Sequence, residues 1–240
     1  MEMLIHADHL TRSFKRGDGI SFDAVHDVSL DFKEGKITIL KGRSGSGKTT
    51  LLNLLSTLDD PTGGGLIFRG EQVLDMSRQQ KEKMRRLQMG FVFQSIALIP
   101  VMSAYENIDF ALRLSGYKEN RDSRIRELME LVGLKGRMHH MPGQLSGGEQ
   151  QRIAIARAVA HHPAVVFADE PTGALDTSSG MAAMLLFRRL VEEEKTTVIM
   201  TTHDPGLMEL GDAVYEMVDG SVFSSEVSGE PAEERGEDGS

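Results

Sequence analysis

KITILKGRSGSGKTTLLNLLSTL, residues 36–58, changes character twice. An apolar, β-rich run (KITIL) gives way to a loop of glycine and serine, and the loop to a leucine-rich run with helical spacing. Strand, glycine loop and helix form the context that G-x-x-x-x-G-K-[ST] requires, and GRSGSGKT (42–49) fits that pattern. Gly42, Gly45 and Gly47, with Ser44 and Ser46 between them, let backbone N–H groups turn into a concave nest for phosphate oxygens. Lys48 is placed to neutralise β- and γ-phosphate oxygens, the Thr49 hydroxyl to ligate Mg²⁺, and Thr50 to reach an α-phosphate. A bare flexible turn would need motif, strand and helix to coincide by accident.

Outward from this stretch the chain alternates. Residues 3–40 read as strands and turns (MLIHADHL, VHDVSLDF, KITIL), and LIFRGEQV (66–73) as another strand-rich patch. A charged helix is predicted near 77–88 and a short buried strand at FVFQ (91–94). AYENIDFALRLSGY and RDSRIRELMELVGL carry apolar residues at three- and four-residue spacing, as amphipathic helices do, with Leu128, Leu131 and Val132 as one stripe. Strand and helix then alternate again: strand 164–168, helix 178–194, strand 197–201, short helix 205–210, strand 213–218. This order predicts an α/β fold with a mainly parallel sheet, and residues 95–148 as an inserted helical subdomain. There is no internal repeat.

Two acids follow the apolar run in VVFADE (165–170), at the strand end where ligands bind in open α/β sheets. Asp169 is a candidate Mg²⁺ ligand through water, and Glu170 a candidate general base toward an attacking water. Taken without the phosphate loop, two adjacent acids after an apolar run could belong to a solvated loop, and the phosphate loop makes that the lesser reading. His203 ends TTVIMTTH (196–203), where an imidazole can sense a γ-phosphate. Gln94 ends FVFQ and can offer its carbonyl to Mg²⁺ or to the attacking water. A second anion-binding element lies about a hundred residues beyond the first. QLSGGEQQR (144–152) is a polar turn with two glycines that opens a helix, and a helix N-terminus favours negative charge.

Composition narrows the class. The net charge of −9 argues against a nucleic-acid partner, which needs a basic surface. The absence of cysteine excludes disulfides and thiolate chemistry and fits the cytosol. No apolar run approaches the roughly 20 residues of a membrane span, and MEMLIHADHL has no signal-peptide core. Residues 224–240 are acidic, with Arg235 the one cation among them, and are expected to be disordered.

Together these motifs resemble the nucleotide-binding domains of ABC transporters, over residues 3–223 and in that family's order. GRSGSGKT looks like its Walker A, Gln94 its Q-loop, LSGGEQ (145–150) its signature, VVFADE its Walker B, ALD (174–176) its D-loop and His203 its switch histidine. The resemblance implies a P-loop NTPase core with an N-terminal antiparallel β subdomain. It implies two ATP molecules sandwiched between two such domains, with Ser146, Gly147, Gly148, Glu149 and Asp176 of one domain completing the site of the other. Phe14 is similar in position to the family's adenine-stacking aromatic. Residues 95–108 resemble the segment that contacts a membrane permease, which would place the chain at the cytoplasmic face of the cell membrane, paired with a second copy or a related ATPase subunit. FVFQSIALIPVMSAYENI and ADEPTGALDTSSG look most like the macrolide-efflux, lipoprotein-release and antimicrobial-peptide-resistance group. A non-transport ATPase of the cell-division regulator type is the alternative.

Overall fold

The first two long runs pair as strands whose register shifts several times, so their apolar residues turn inward without strict alternation. β1 (Met3–Lys15) buries Leu4, Ile5, Ala7 and Leu10, and β2 (Ser21–Lys33) buries Val25, Val28 and Phe32. The computed structural model describes residues 2–15, 17 and 20–225. Next come β3 (Ile37–Lys41), α1 (Lys48–Leu55), β4 (Gly63–Phe68), β5 (Glu71–Gln72), α2 (Arg78–Gln88) and β6 (Met89–Val92). The helical stretch holds α3 (Ala104–Ser115), α4 (Arg121–Leu131) and the start of α5 (Gly147–Val159). It is followed by β7 (Val165–Ala168), α6 (Thr177–Glu194), β8 (Thr197–Thr201), α7 (Pro205–Met208), β9 (Ala213–Val218) and β10 (Ser221–Ser225).

Two sheets result. The first is antiparallel, in the order β2-β1-β4-β5. The second runs β10-β9-β3-β8-β7-β6 and is parallel except where β9 meets β10. β7 and β8 are buried at every residue, as expected of parallel strands covered on both faces. One core lies between the two sheets around α1, with Phe32, Leu51, Leu54, Phe167 and Ile199; the other lies on the opposite face under α3 to α6, with Ile108, Ile125, Leu128, Ile153 and Phe187. Each fully buried side chain of this size contributes about 2 kcal/mol. The α/β class, the parallel sheet and the antiparallel N-terminal part are as the sequence predicts.

Several boundaries differ, among them the short helix expected at 205–210, which is Pro205–Met208. The strand expected at 91–94 is Met89–Val92, so Phe93 and Gln94 lie in the bend beyond it, with Phe93 exposed. The C-terminal tail expected from 224 begins later, because β10 pairs with β9 through Ser225. Asp219 and Gly220, both at positive φ, make the tight turn between them, so VDGS is a hairpin signal. The rest of the expected tail, 226–240, lies outside the described residues.

The helical stretch is fastened to the core by Arg124. Its guanidinium, 3% exposed, bonds the carbonyls of Val159 and Ala160 at the end of α5 and meets both oxygens of Glu194, in the last turn of α6, at 2.7 and 2.9 Å. His162 Nδ1 lies 3.3 Å from the same carboxylate. Burial alone would raise the Glu194 pKa, but His162 and Arg124 together hold it below the usual glutamate value. A carboxylate depressed in this way stabilises the fold above its unfolded-state pKa, and that contribution is lost as pH falls through the lower, folded value. Glu194→Gln is therefore expected to cost about 3 kcal/mol near neutrality and to flatten the loss of stability on acidification below the usual glutamate range. Urea unfolding across that range checks both.

Candidate functional site

The C-terminal ends of β3, β6, β7 and β8 all open on one side of the second sheet, where an open α/β fold holds its ligand. A cleft of about 740 Å³ lies there, lined by the loop residues Gly42 to Gly45, by Gly47, Lys48, Thr49 and Thr50, by Gln94, Glu170 and His203, and by Phe14, Phe22 and Ala24 from the first sheet. Residues far apart in sequence are thus brought together as the motifs predict.

The loop is tightly shaped. Gly47, the N-cap of α1, has φ 103, and a side chain there would overlap the Ala24 carbonyl oxygen; one on Gly42, φ 151, would overlap the Met217 carbonyl oxygen. Lys48 is 6% exposed, and its ammonium bonds the carbonyls of Gly42 and Arg43 at 2.8 and 3.0 Å. Among the described residues no carboxylate lies within ion-pair distance of it. The buried Ser46 hydroxyl has no protein partner among them either. A buried cation without an anion, an orphaned hydroxyl and the free N–H groups of the first turn of α1 together suit a polyphosphate.

The two acids diverge. Asp169 turns to α1, where the Thr49 hydroxyl donates to its carboxylate at 2.9 and 3.1 Å. Glu170, at φ +43, turns into the cleft. Its Oε2 accepts from the Gln94 amide at 3.2 Å and lies 3.6 Å from His203 Nδ1. Among the described residues no group of three or more acids or histidines can hold a metal. A divalent cation at Thr49 and Asp169 would accordingly take most of its oxygen ligands from phosphate and water, as Mg²⁺ does.

The second cradle does not join this cleft within the chain. Ser146 caps α5: its hydroxyl accepts from the Glu149 N–H at 3.2 Å, and the Glu149 carboxylate accepts from the Ser146 N–H at 2.8 Å. That bond, with help from Arg137, holds the Glu149 carboxyl below the usual range. Glu149 is thus turned back on its own helix end. Asp176 caps α6, taking the Ser178 and Ser179 hydroxyls at 2.6 and 2.7 Å and the Ser179 N–H at 3.0 Å, which pulls its pKa far down. Leu175 and Ser179 pack on Gly147 and Gly148, so these two helix starts form one unit.

Three features escape the sequence reading. Phe22 is the cross-strand partner of Phe14, ring centroids 5.9 Å apart, and lines the cleft with it, while the Arg12 guanidinium sits 4.7 Å over the Phe14 ring. Thr201 bridges the two acids from β8. The third is an apolar groove. Of IALIPVM (96–102), Leu98 is buried and Val101 exposed, whereas Phe91, Phe93, Phe110 and Leu114 line a hollow of about 370 Å³ between α2 and α3.

Comparison with known proteins agrees with this geometry. The family model "ABC transporter" matches residues 25–173. The lipoprotein-releasing system ATP-binding protein LolD 2 of Rhodopirellula baltica is 40% identical, over 91% of this chain and 88% of its own length. The macrolide export ATP-binding/permease protein MacB of Syntrophobacter fumaroxidans is 39% identical over 91% of this chain, which spans 31% of that longer protein. The ATP-binding cassette MJ0796 of Methanocaldococcus jannaschii, in a dimeric post-hydrolysis state bound to ADP and Pi, superposes with a TM-score of 0.85 at 36% identity, covering 93% of this chain and 98% of that one.

The loop geometry generates a direct test. Gly47→Ala combines left-handed backbone strain with a steric overlap and is expected to cost about 2 kcal/mol or more, read as a lower denaturation midpoint with an unchanged slope.

Proposed function

The chain belongs to the ABC transporter family, and from that premise we propose that two copies close around two ATP molecules to drive a separate membrane permease. It is an ATP-binding subunit of that family and an ATPase. One observation carries the dimeric reading: the cleft that holds Lys48 and Glu170 lacks Ser146 and Gly148, which lie outside its lining beside the start of α6 that Asp176 caps. Each chain then has two half-sites that only a second chain can complete, and a two-fold interface completes both. The dimeric MJ0796 cassette supports this.

Within the cleft, Lys48 and the loop amides hold the β- and γ-phosphates, and Phe14 with Phe22 offers the aromatic surface for adenine. Bound at Thr49 and Asp169, with Gln94 in reach, Mg²⁺ would neutralise charge on the phosphate oxygens. Glu170 takes a proton from the attacking water. The Gln94 amide donates to its Oε2, with His203 Nδ1 3.6 Å from the same oxygen, and this contact orients the base before the γ-phosphate arrives. Closure brings the free backbone amides at the start of α5 to that γ-phosphate from the partner, and hydrolysis releases them.

The likeness to a macrolide exporter and a lipoprotein-releasing subunit supports efflux or extraction from the membrane as the task. The permease would seat at the groove beside residues 95–108, where Phe93, Phe110 and Leu114 expose apolar surface. No described helix is long and apolar enough to cross a membrane, so the membrane-spanning part is assigned to the permease.

Glu170→Gln is expected to bind ATP normally while turnover falls about 10²- to 10⁴-fold, and to elute as a dimer with ATP. Normal turnover would remove Glu170 from the role of base. In that trapped background Ser146→Arg should elute as a monomer that still binds ATP; a persistent dimer would overturn the shared site.

A further inference from the structure

Thr201 is wholly buried at the end of β8, one strand away from the acidic pair. Its hydroxyl donates to Asp169 Oδ1 at 2.7 Å and accepts the Glu170 N–H at 2.8 Å. One oxygen therefore fixes a side chain and the next residue's backbone at the same time. These are the two groups whose divergence the site requires, since Asp169 must face Thr49 while Glu170 faces the cleft. Glu170 holds a left-handed backbone that a non-glycine residue rarely adopts; the Asp169 N–H bonds the Val92 carbonyl and the Gly173 N–H the Glu170 carbonyl, while among the described residues Thr201 is the partner of the Glu170 N–H itself. We infer that Thr201 is a positioning residue for ATP hydrolysis, a buried splint that sets the Asp169–Glu170 turn before nucleotide or metal arrives.

This rests on the reading of Asp169 and Glu170 given above, but the splint itself can be tested apart from it. A valine at the position would keep the shape of threonine and lose the hydroxyl. It would leave the Glu170 N–H unpaired and Asp169 with Thr49 as its remaining hydroxyl donor. A serine would keep both bonds. Outer-shell partners of this kind change metal affinity or activity by about 10- to 100-fold when removed.

The test compares wild type, Thr201→Val and Thr201→Ser, with Thr201→Ala as a second way to delete the hydroxyl should the valine variant not fold. In the chain without nucleotide or metal, NMR amide exchange at Glu170 should be slow in wild type and in Thr201→Ser, and about tenfold faster or more in Thr201→Val. With a non-hydrolysable ATP analogue bound, Mn²⁺ affinity read by electron paramagnetic resonance should fall about tenfold in Thr201→Val, while affinity for the analogue without metal stays unchanged. kcat should fall about tenfold with KM for ATP unchanged, and Thr201→Ser should restore every value. A Glu170 amide that exchanges freely in wild type overturns the splint whatever the variants do, as does a valine variant with wild-type protection and Mn²⁺ affinity. A wild-type chain that keeps a protected Glu170 amide but neither binds nor hydrolyses ATP would instead sink the function proposed for the cleft.

Discussion

Backbone from two strands and a turn converges at the loop between β3 and α1, at two points closer than any side chain would permit. Gly47 lies against the Ala24 carbonyl in β2, and Gly42 against the Met217 carbonyl in β9. Gly220, in the β9–β10 turn, donates its N–H to Ser46 at 3.0 Å and accepts from the His26 N–H at 2.8 Å. The loop is therefore held by both sheets at once. Its curvature is a property of the assembled fold, and loosening either sheet would loosen the cradle. The N-terminal hairpin, which in a diagram looks like an appendage, supplies one wall of the site and both of its aromatic residues.

Lys48, Thr49, Asp169 and Glu170 each have a protein partner without a ligand, whereas the Ser46 hydroxyl and the first amides of α1 wait for one. Lys48 rests on loop carbonyls, Thr49 on Asp169, Asp169 on Thr201, Glu170 on Gln94. Buried polar groups left unpaired cost more than the bonds they make are worth, so a site that must be empty for part of its cycle needs partners that can be exchanged. Weak main-chain and hydroxyl contacts serve that purpose better than a tight ion pair. The contrast with Arg124 is instructive. Its carboxylate partner and its helix-end carbonyls are fixed, and that cluster fastens the helical stretch to the core instead of meeting a ligand.

Local pattern made the main elements readable. GRSGSGKT announces its loop because glycine spacing and flanking periodicity agree, and VVFA announces a doubly covered strand by lacking alternation. The capping boxes Ser77–Gln80 and Ser103–Glu106 mark helix starts by composition alone. What could not be read depends on neighbours remote in sequence. Phe22 belongs to the cleft through its register opposite Phe14, and Thr201 through adjacency of β7 and β8. Glu149 and Asp176, which the resemblance places at a partner's nucleotide, cap their own helices in the single chain, as the patterns S-G-G-E and D-T-S-S at a helix start allow. The β9–β10 hairpin is legible in VDGS, whose Asp219 and Gly220 suit a tight turn between two β-rich runs.

The cap at α5 bears on how its surface can be altered. The Ser146 hydroxyl and the Glu149 N–H satisfy each other, which leaves the main-chain hydrogens of Gly147 and Gly148 as the unclaimed donors at that end. A peptide hydrogen survives exchange of a glycine for any residue but proline. Recognition by these amides, as proposed, would therefore tolerate a small side chain at 147, which meets Leu175 at ordinary contact distance, but not at 148, where even a Cβ presses on Ser179.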